Sequence, residues 1–283
     1  MKTRTLFLSV AVFILASCNS QIDFYGSESD VFNATVETDV STKTSLNSAE
    51  GGYEVNWSYN DQIKVYCGNS SAIYETKNVS SKVATFAPFS GSLQSGSKYE
   101  AFYPATLDRD NLELPSKQTW RRDNTDEYPM YAESSTRDLT FHNLCGILHF
   151  RLNLKEVSSF AVSSITVSST DKGLSGAFHI DGYTAVADNK GTSVTLECPN
   201  AVTLYSSSTS DFYIYVPAGE YYPLEVKIVS SEGKEKKYVA ESAVTVARSR
   251  MTTMRISIDT SSTANGSTEF ITVVESDVNF SER

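Results

Sequence analysis

Alternation of apolar and polar residues in short runs is the feature of this sequence that most constrains its fold. The clearest run has apolar side chains at every second position, at Leu148, Phe150, Leu152 and Leu154. Successive side chains of a strand point to opposite faces, so this spacing predicts a half-buried strand. His149 and Arg151 fall on the other face, which we expect to meet solvent and to tolerate substitution.

Similar runs recur along the chain, and turn residues such as Gly, Asn, Asp and Ser separate them. Strands are predicted at residues 32–36, 53–57, 63–65, 83–85, 99–103, 112–114, 148–154, 165–167, 174–180, 194–196, 202–204, 212–216, 224–228, 238–240, 244–246 and 254–258. No window shows the spacing of an amphipathic helix. Many short strands with regular turns predict an all-β protein built from β-sandwiches.

Residues 104–138 interrupt this pattern with prolines, charged stretches and few alternating apolar positions. We expect long loops there, and a domain boundary near residue 138. The prediction is an N-terminal β-sandwich over residues 31–138 and a C-terminal β-sandwich over residues 139–258. A chain of 283 residues is long enough for two domains that each bury a core.

The first residues have the pattern of an export signal. Lys2 and Arg4 precede an apolar run over residues 6–16, which is too short to span a bilayer. The string Leu15-Ala16-Ser17-Cys18 resembles a bacterial lipobox, so residues 1–17 are predicted to be a lipoprotein signal peptide and Cys18 the lipidated residue. Residues 18–30 would then be a tether to the outer membrane. The alternative is an ordinary secretory signal with an incidental cysteine.

Charge and cysteine content exclude several classes of protein. The net charge of -10 disfavours binding to nucleic acid, whose phosphates repel an acidic surface. After the signal peptide there is no further apolar run of the length that a membrane-spanning helix needs. Cys67, Cys145 and Cys198 are far apart in the sequence, and we expect buried, unpaired thiols, although one pair could oxidise after export.

The sequence shows none of the common catalytic or cofactor motifs. It has no phosphate-binding glycine loop and no His-Glu-x-x-His, and Ser175 lacks the spacing of a nucleophile elbow. The histidines His142, His149 and His179 are scattered, which favours structural roles over metal binding. An acidic stretch at residues 123–127 could hold calcium, but a solvated loop is the simpler interpretation. We therefore expect no enzyme activity, no cofactor and no metal site.

The end of the chain is unusual. Residues 259–268 have the composition of a linker, and a strand-like heptapeptide follows at residues 269–275, after the second domain is complete. An edge strand that folds back onto its own sheet would explain it. A strand that is given to another molecule would explain it equally well.

Several short strings, in their order and spacing, carry a resemblance to a known family. They are Phe32 to Glu37, Thr42 to Leu46, Val55 to Trp57, Asp61 to Val65, Tyr99 to Pro104, Leu114-Pro115 with Gln118, Pro129-Met130, Leu139 to Phe141, Asn143 to Gly146, Leu174 to Gly176 and Phe212 to Gly219. Together they span roughly residues 31–258, and over this span the chain resembles the fimbrillin-like (Mfa-like) surface lipoproteins of Bacteroidetes.

The resemblance implies two tandem transthyretin-like β-sandwiches and a structural or adhesive subunit of cell-surface fimbriae. In that family a protease cuts after a basic residue behind the first strand, and a strand from a neighbouring subunit fills the groove that opens. The first strand here would be about residues 31–38, and the processing residue Lys43. The donor strand would come from the tail, with Phe270, Ile271, Val273 and Val274, so that residues 259–283 form a linker and donor. The implied partners are other fimbrial subunits and the outer membrane.

A different function stays open. If Lys43 is only a solvated turn residue, the protein would be a surface lipoprotein that does not polymerise, and that anchors fimbriae or binds host surfaces or glycans. Aromatic side chains that could stack on sugar rings are Trp120, Tyr128, Tyr131, Tyr221 and Tyr222. These rings could equally pack within the protein.

Overall fold

A computed structural model describes residues 30–37, 56–76, 82–122, 127–188 and 191–261, together with the backbone of residues 268–271 and 273–274. All the secondary-structure elements in these described residues are strands, which confirms the predicted all-β class. The strands are β1 (Phe32–Val36), β2 (Gln62–Cys67), β3 (Ser70–Thr76), β4 (Val83–Gly91), β5 (Tyr99–Tyr103), β6 (Glu113–Leu114), β7 (Lys117–Thr119), β8 (Met130–Ser134), β9 (Asp138–Asn143), β10 (Gly146–Leu154), β11 (Ala161–Ser169), β12 (Gly176–Asp181), β13 (Thr184–Ala187), β14 (Ser193–Thr203), β15 (Ser210–Val216), β16 (Gly219–Tyr221), β17 (Leu224–Ser230), β18 (Glu235–Ala240), β19 (Val244–Val246), β20 (Met251–Ile258), β21 (Thr268–Ile271) and β22 (Val273–Val274).

The first half of the chain forms a single sheet that closes on itself, in the order β1-β4-β3-β2-β5-β8-β9. Closure depends on β1, which pairs antiparallel with β4 on one side and parallel with β9 on the other. Alternate residues of each strand point inward and fill the interior with aromatic side chains. This arrangement differs from the two separate sheets predicted for residues 31–138, because β1 joins what would otherwise be two free edges.

Two sheets share the core of the second half. One has the order β15-β10-β20-β22, and the other has the order β21-β18-β17-β11-β14-β7. The alternating apolar residues of β10 all lie in this core, as the sequence pattern predicts, with Leu148, Phe150 and Leu152 fully buried. Side chains from β11, β17 and β18 meet them from the other sheet. This packing is that of a β-sandwich.

The opposite face of β10 is buried at His149, so the prediction for this residue is wrong, whereas the Arg151 side chain on the same face keeps 32% exposure. Only 4% of His149 is accessible, and its ring stacks on Tyr213 with centroids 4.6 Å apart. Nε2 lies 2.7 Å from Oδ1 of Asp211, and Nδ1 lies 3.1 Å from the Thr253 hydroxyl. Ile147, on the same face, belongs to the apolar core of the barrel, which the alternation in β10 alone could not reveal.

The described residues of the segment 104–138, namely 104–122 and 127–138, contain more strands than their composition predicts. Strand β6 pairs with β12, and β7 pairs in parallel with β14, so this segment crosses from the barrel to the second half. The Gln118 side chain stands in for a neighbouring strand: its amide donates to the Tyr215 carbonyl at 2.8 Å, and its oxygen accepts from the Tyr215 N–H at 3.1 Å. Strand β9 lies beyond the boundary predicted near residue 138, yet it pairs with β1 and β8 in the barrel.

Within the part of the chain that the structure describes, no helix is long and apolar enough to cross a membrane.

Candidate functional site

Strand β1 is the first described strand, and it presents alternate side chains to the barrel interior. Phe32 and Ala34 are fully buried and Val36 is 4% exposed. The Phe32 ring makes edge contacts with Tyr74 and Tyr99, at centroid distances of 4.8 and 5.2 Å. The pattern is therefore a large residue, a small residue and a medium residue at successive inward positions.

Backbone hydrogen bonds hold β1 on both sides. The Asn33 N–H donates to the Arg137 carbonyl at 3.0 Å, and the Glu37 N–H donates to the Phe141 carbonyl at 2.9 Å. On the β4 side, the Val36 N–H donates to the Lys82 carbonyl at 3.3 Å. Loss of β1 would leave two unpaired strand edges and an empty apolar slot. Such an edge is a template for another strand.

Glu37 follows β1 directly and joins it to the second half of the chain. Its Oε1 accepts hydrogen bonds from Arg248 Nη1 at 2.6 Å, from the Ser249 hydroxyl at 2.7 Å and from the Asn143 N–H at 3.0 Å. Its Oε2 lies 2.8 Å from His142 Nδ1. The carboxylate is 9% exposed and the Arg248 side chain 28% exposed. We call these five residues the Glu37 cluster.

The electrostatics of the Glu37 cluster favour the ionised carboxylate. Burial alone would raise the pKa of Glu37, but the hydrogen bonds from Arg248, Ser249, His142 and the Asn143 N–H outweigh it, and the pKa is lowered. Charge-assisted bonds of this kind are stronger than those between neutral groups. The cluster therefore holds the end of β1 as a negatively charged anchor.

The residues that link the two halves, Asn143 to Gly146, are anchored at several points beside this cluster. The Ser249 N–H donates to the Cys145 carbonyl at 2.8 Å, and the buried Tyr128 hydroxyl donates to the same carbonyl. At Gly146 a Cβ would lie 2.4 Å from the Ala247 carbonyl oxygen, so only glycine fits. Burial raises the pKa of the Cys145 thiol, which leaves it a neutral packing residue.

The site residues predicted from sequence are only partly described. Cys18 and Lys43 lie outside the described residues. For Phe270, Ile271, Val273 and Val274 the structure describes the backbone alone. There β21 pairs in parallel with β18, and β22 pairs antiparallel with β20, so the tail lies along the sheets of its own second half.

The aromatic residues proposed for sugar stacking do not form an exposed platform. Tyr128 is fully buried, Tyr131 is 8% exposed and Tyr221 is 1% exposed. Trp120 packs on the second core, and its indole N–H donates to the Asp211 carbonyl at 3.3 Å. Tyr222 is the one exposed member of this set of five, at 55%.

A surface depression beside β2 contains a carboxylate with a raised pKa, that of Asp61. Asp61 accepts from the Ser58 N–H at 2.6 Å and from the Tyr103 hydroxyl at 3.1 Å. Burial raises the pKa of Asp61 to about 6, and the nearby charge of Glu127 adds to this effect. Within the described ranges no three residues of the His, Cys, Asp and Glu types converge as a metal site.

Sequence reasoning missed Glu37 and Arg248 as a pair, because 211 residues separate them. By contrast, the string Asn143-Leu144-Cys145-Gly146 is one of those that carry the family resemblance. The structure gives it a physical role as the anchored link between the halves.

No family model matches the chain, and no curated protein matches it. Several solved structures do resemble it in fold. A candidate cell adhesion protein from Bacteroides ovatus superposes with a TM-score of 0.52 at 9% identity, covering 81% of this chain and 91% of its own. A candidate cell adhesion protein from Bacteroides uniformis gives 0.47 at 12% identity over 82% of this chain and 94% of its own. The tip fimbrial protein Mfa3 from Porphyromonas gingivalis gives a TM-score of 0.33 at 10% identity, covering 72% of this chain and 93% of its own.

These neighbours come from the class of proteins that the sequence resemblance indicated. At such low identity a superposition establishes the fold alone, and the Bacteroides ovatus protein is the one of the three with a TM-score above 0.5. The chain therefore has the fold of that Bacteroides cell adhesion protein.

Proposed function

We propose that this protein is a structural or adhesive subunit of cell-surface fimbriae, assembled by exchange of a β-strand. Its two halves act as tandem transthyretin-like domains. The precursor is exported as a lipoprotein through Cys18 and held at the outer membrane. A protease then cuts after Lys43 and releases the segment that contains β1.

The observation that carries the proposal is the position of β1. It is the first strand in the described part of the chain, and it closes the barrel between β4 and β9. Its removal would open both edges and the inward slot of Phe32, Ala34 and Val36 without breaking the chain that remains. An incoming strand restores the backbone hydrogen bonds and the buried apolar area, which is the physics of β-augmentation.

The adhesive role rests on the fold shared with the Bacteroides ovatus protein and on the resemblance over residues 31–258. The aromatic residues that could have suggested glycan binding are mostly buried, so assembly is the better-supported function.

Limited proteolysis tests the proposal. The chain from residue 19 onward is treated with trypsin, the cut bonds are mapped by mass spectrometry, and the products are examined by electron microscopy and light scattering. We expect a cut after Lys43 followed by formation of rods, and we expect the matched variant Lys43→Gln to stay uncut there and monomeric.

A chain that is cut after Lys43, sheds residues 19–43 and stays monomeric at high concentration would contradict assembly by strand exchange. A static anchor for other subunits would then be the better interpretation.

A further inference from the structure

The tail of the chain repeats the sequence of β1. The motif Phe-x-x-x-Val-Glu-Ser/Thr-Asp-Val occurs at residues 32–40 and again at residues 270–278. In the ungapped alignment Phe270 matches Phe32, Val274 matches Val36, and Glu275 matches Glu37. The dipeptide Val-Glu occurs nowhere else in the sequence. The repeat therefore includes two of the three apolar inward positions and the acidic residue that follows them.

We propose that residues 270–275 of a second copy occupy the place of β1 in the same direction, with Glu275 replacing Glu37 as the partner of Arg248. This inference rests on the proposed strand exchange and on the tail as the donor that the family resemblance implies. It goes beyond them because it gives the direction of the tail and the residue that fixes its register. The tail would bind as a copy of the strand that it replaces.

The slot selects for this pattern in two ways. Its inward positions take Phe32 opposite Phe86 and Ala34 opposite Ala84, all nearly or fully buried. A tail shifted by one residue would place Ile271 and Val273 inward together with either Glu269 or Glu275, so the buried charge is what opposes the shift. Phe270 and Val274 have the required spacing. Thr272 takes the position of Ala34, and the smaller alanine at this position should bind at least as well.

The Glu37 cluster supplies the second selection. When β1 leaves, Arg248 Nη1 keeps its bonds to the Asn143 carbonyl at 2.9 Å and the Ser249 hydroxyl at 3.1 Å, but its carboxylate is gone. The positive charge, the Ser249 hydroxyl and the Asn143 N–H then converge on one empty acceptor position. A carboxylate directly after the last inward residue satisfies all three, and Glu275 stands at that position in the tail.

A second copy is the occupant to which the structure points. Within one chain, the tail backbone lies along β18 and β20 of the second half, whereas the slot lies between β4 and β9 of the barrel. Exchange moves the tail from its own sheets to a neighbour, and each copy carries both a slot and a tail. The contact is head-to-tail and therefore builds an open filament.

The test uses the chain from residue 19 to 283 with a site for a specific protease inserted after Lys43, so that β1 can be released on demand. Variants Glu275→Gln and Phe270→Ser are compared with the matched control Glu282→Gln, which lies outside the repeat. Loss of the charged acceptor should weaken association of the cut chain roughly 10- to 100-fold, as expected for hydrogen bonds to a charged group. The control should assemble like the parent.

Register and direction are tested by cross-linking between two populations. One carries Ile271→Cys, aligned with Asn33, and the other carries Thr85→Cys, the residue that faces Asn33. A disulfide between copies is expected after the cut. Val83→Cys, which faces Thr35 instead, serves as the register control and should not form one.

The outcomes separate the two claims. If the cut chain assembles but Glu275→Gln and Phe270→Ser assemble equally well, strand exchange stands and the tail is not the occupant. If it assembles and cross-links through Val83 instead of Thr85, the proposed register is wrong. If a cut chain that has shed residues 19–43 neither assembles nor binds a peptide of residues 30–40, the proposed function itself fails. Cross-linking within one copy in a monomer would show that the chain fills its own slot.

Discussion

Replacement of Glu37 by glutamine should loosen β1 and reveal how strongly the carboxylate anchors it. Glutamine keeps the shape and one acceptor oxygen but removes the charge that faces Arg248 at 2.6 Å. Removing one partner of a buried ion pair costs about 3–5 kcal/mol. Because the Arg248 side chain keeps 28% exposure and can be partly hydrated, we expect about 2–4 kcal/mol in the free energy of unfolding at pH 7.

The same variant has a distinct pH signature. The pKa of Glu37 is lower in the folded state than its usual value of 4.5, owing mainly to the hydrogen bond from Arg248 against the opposing effect of burial. Its stabilisation is therefore complete above about pH 4.5 and is lost as pH falls through the folded-state pKa. The difference between wild type and Glu37→Gln should shrink as the pH is lowered from 7 to 3.

Urea unfolding at both pH values measures this difference. Glu232→Gln is the matched control, because Glu232 is 68% exposed and pairs with Lys234 on the surface at 2.8 Å. It should leave the free energy of unfolding close to that of the wild type at either pH, because an exposed pair is screened by solvent. An effect of Glu37→Gln that is as small as the control, or that is the same at pH 3 as at pH 7, would refute the anchor role of the carboxylate.

Four further predictions follow from the structure and the sequence. Gly146→Ala should lower the free energy of unfolding by about 1–3 kcal/mol, since the new Cβ meets a backbone carbonyl; unchanged urea midpoints would contradict this. His149→Ala should lower the free energy of unfolding by about 2–4 kcal/mol in the same assay because the ring is buried. An unchanged free energy of unfolding would instead support the expectation from sequence that this residue faces solvent. The raised pKa of Asp61, about 6, means that its folded form binds extra protons and that up to about 3 kcal/mol of stability is lost as pH rises from about 4 to 6. Asp61→Asn should remove this loss, and parallel pH profiles of the two chains would argue against it. Cys18→Ala should abolish incorporation of labelled palmitate and release the protein from outer membranes; wild type that takes up no label would disprove the anchor.

Local pattern predicted much of the fold. The alternation in β10 placed Leu148, Phe150, Leu152 and Leu154 in one core, and all four are buried there. Strands β15 and β17 were equally visible, because each combines period-two spacing with a flanking turn. Such signals are local and survive without knowledge of the partner strand.

Contacts between distant parts of the chain were not visible in this way. Strand β7 has little strand character of its own, and it forms through its pairing with β14 and the bonds of the Gln118 side chain to the backbone of β15. His149 is buried by a neighbour that its own strand does not specify. The partners of Glu37 lie far away in sequence, so its role as an anchor emerged only from the structure. The repeated motif in the tail was present in the sequence, but its meaning depended on seeing what Glu37 contacts.

Mass-spectrometric mapping of the N-terminus in intact surface fimbriae tests the central claim most directly. Removal of β1 before assembly predicts a chain that begins at Thr44, with the lipidated Cys18 peptide found only in the unassembled precursor. Assembled protein that still begins at Cys18 and contains residues 32–37 would contradict exchange at the β1 position.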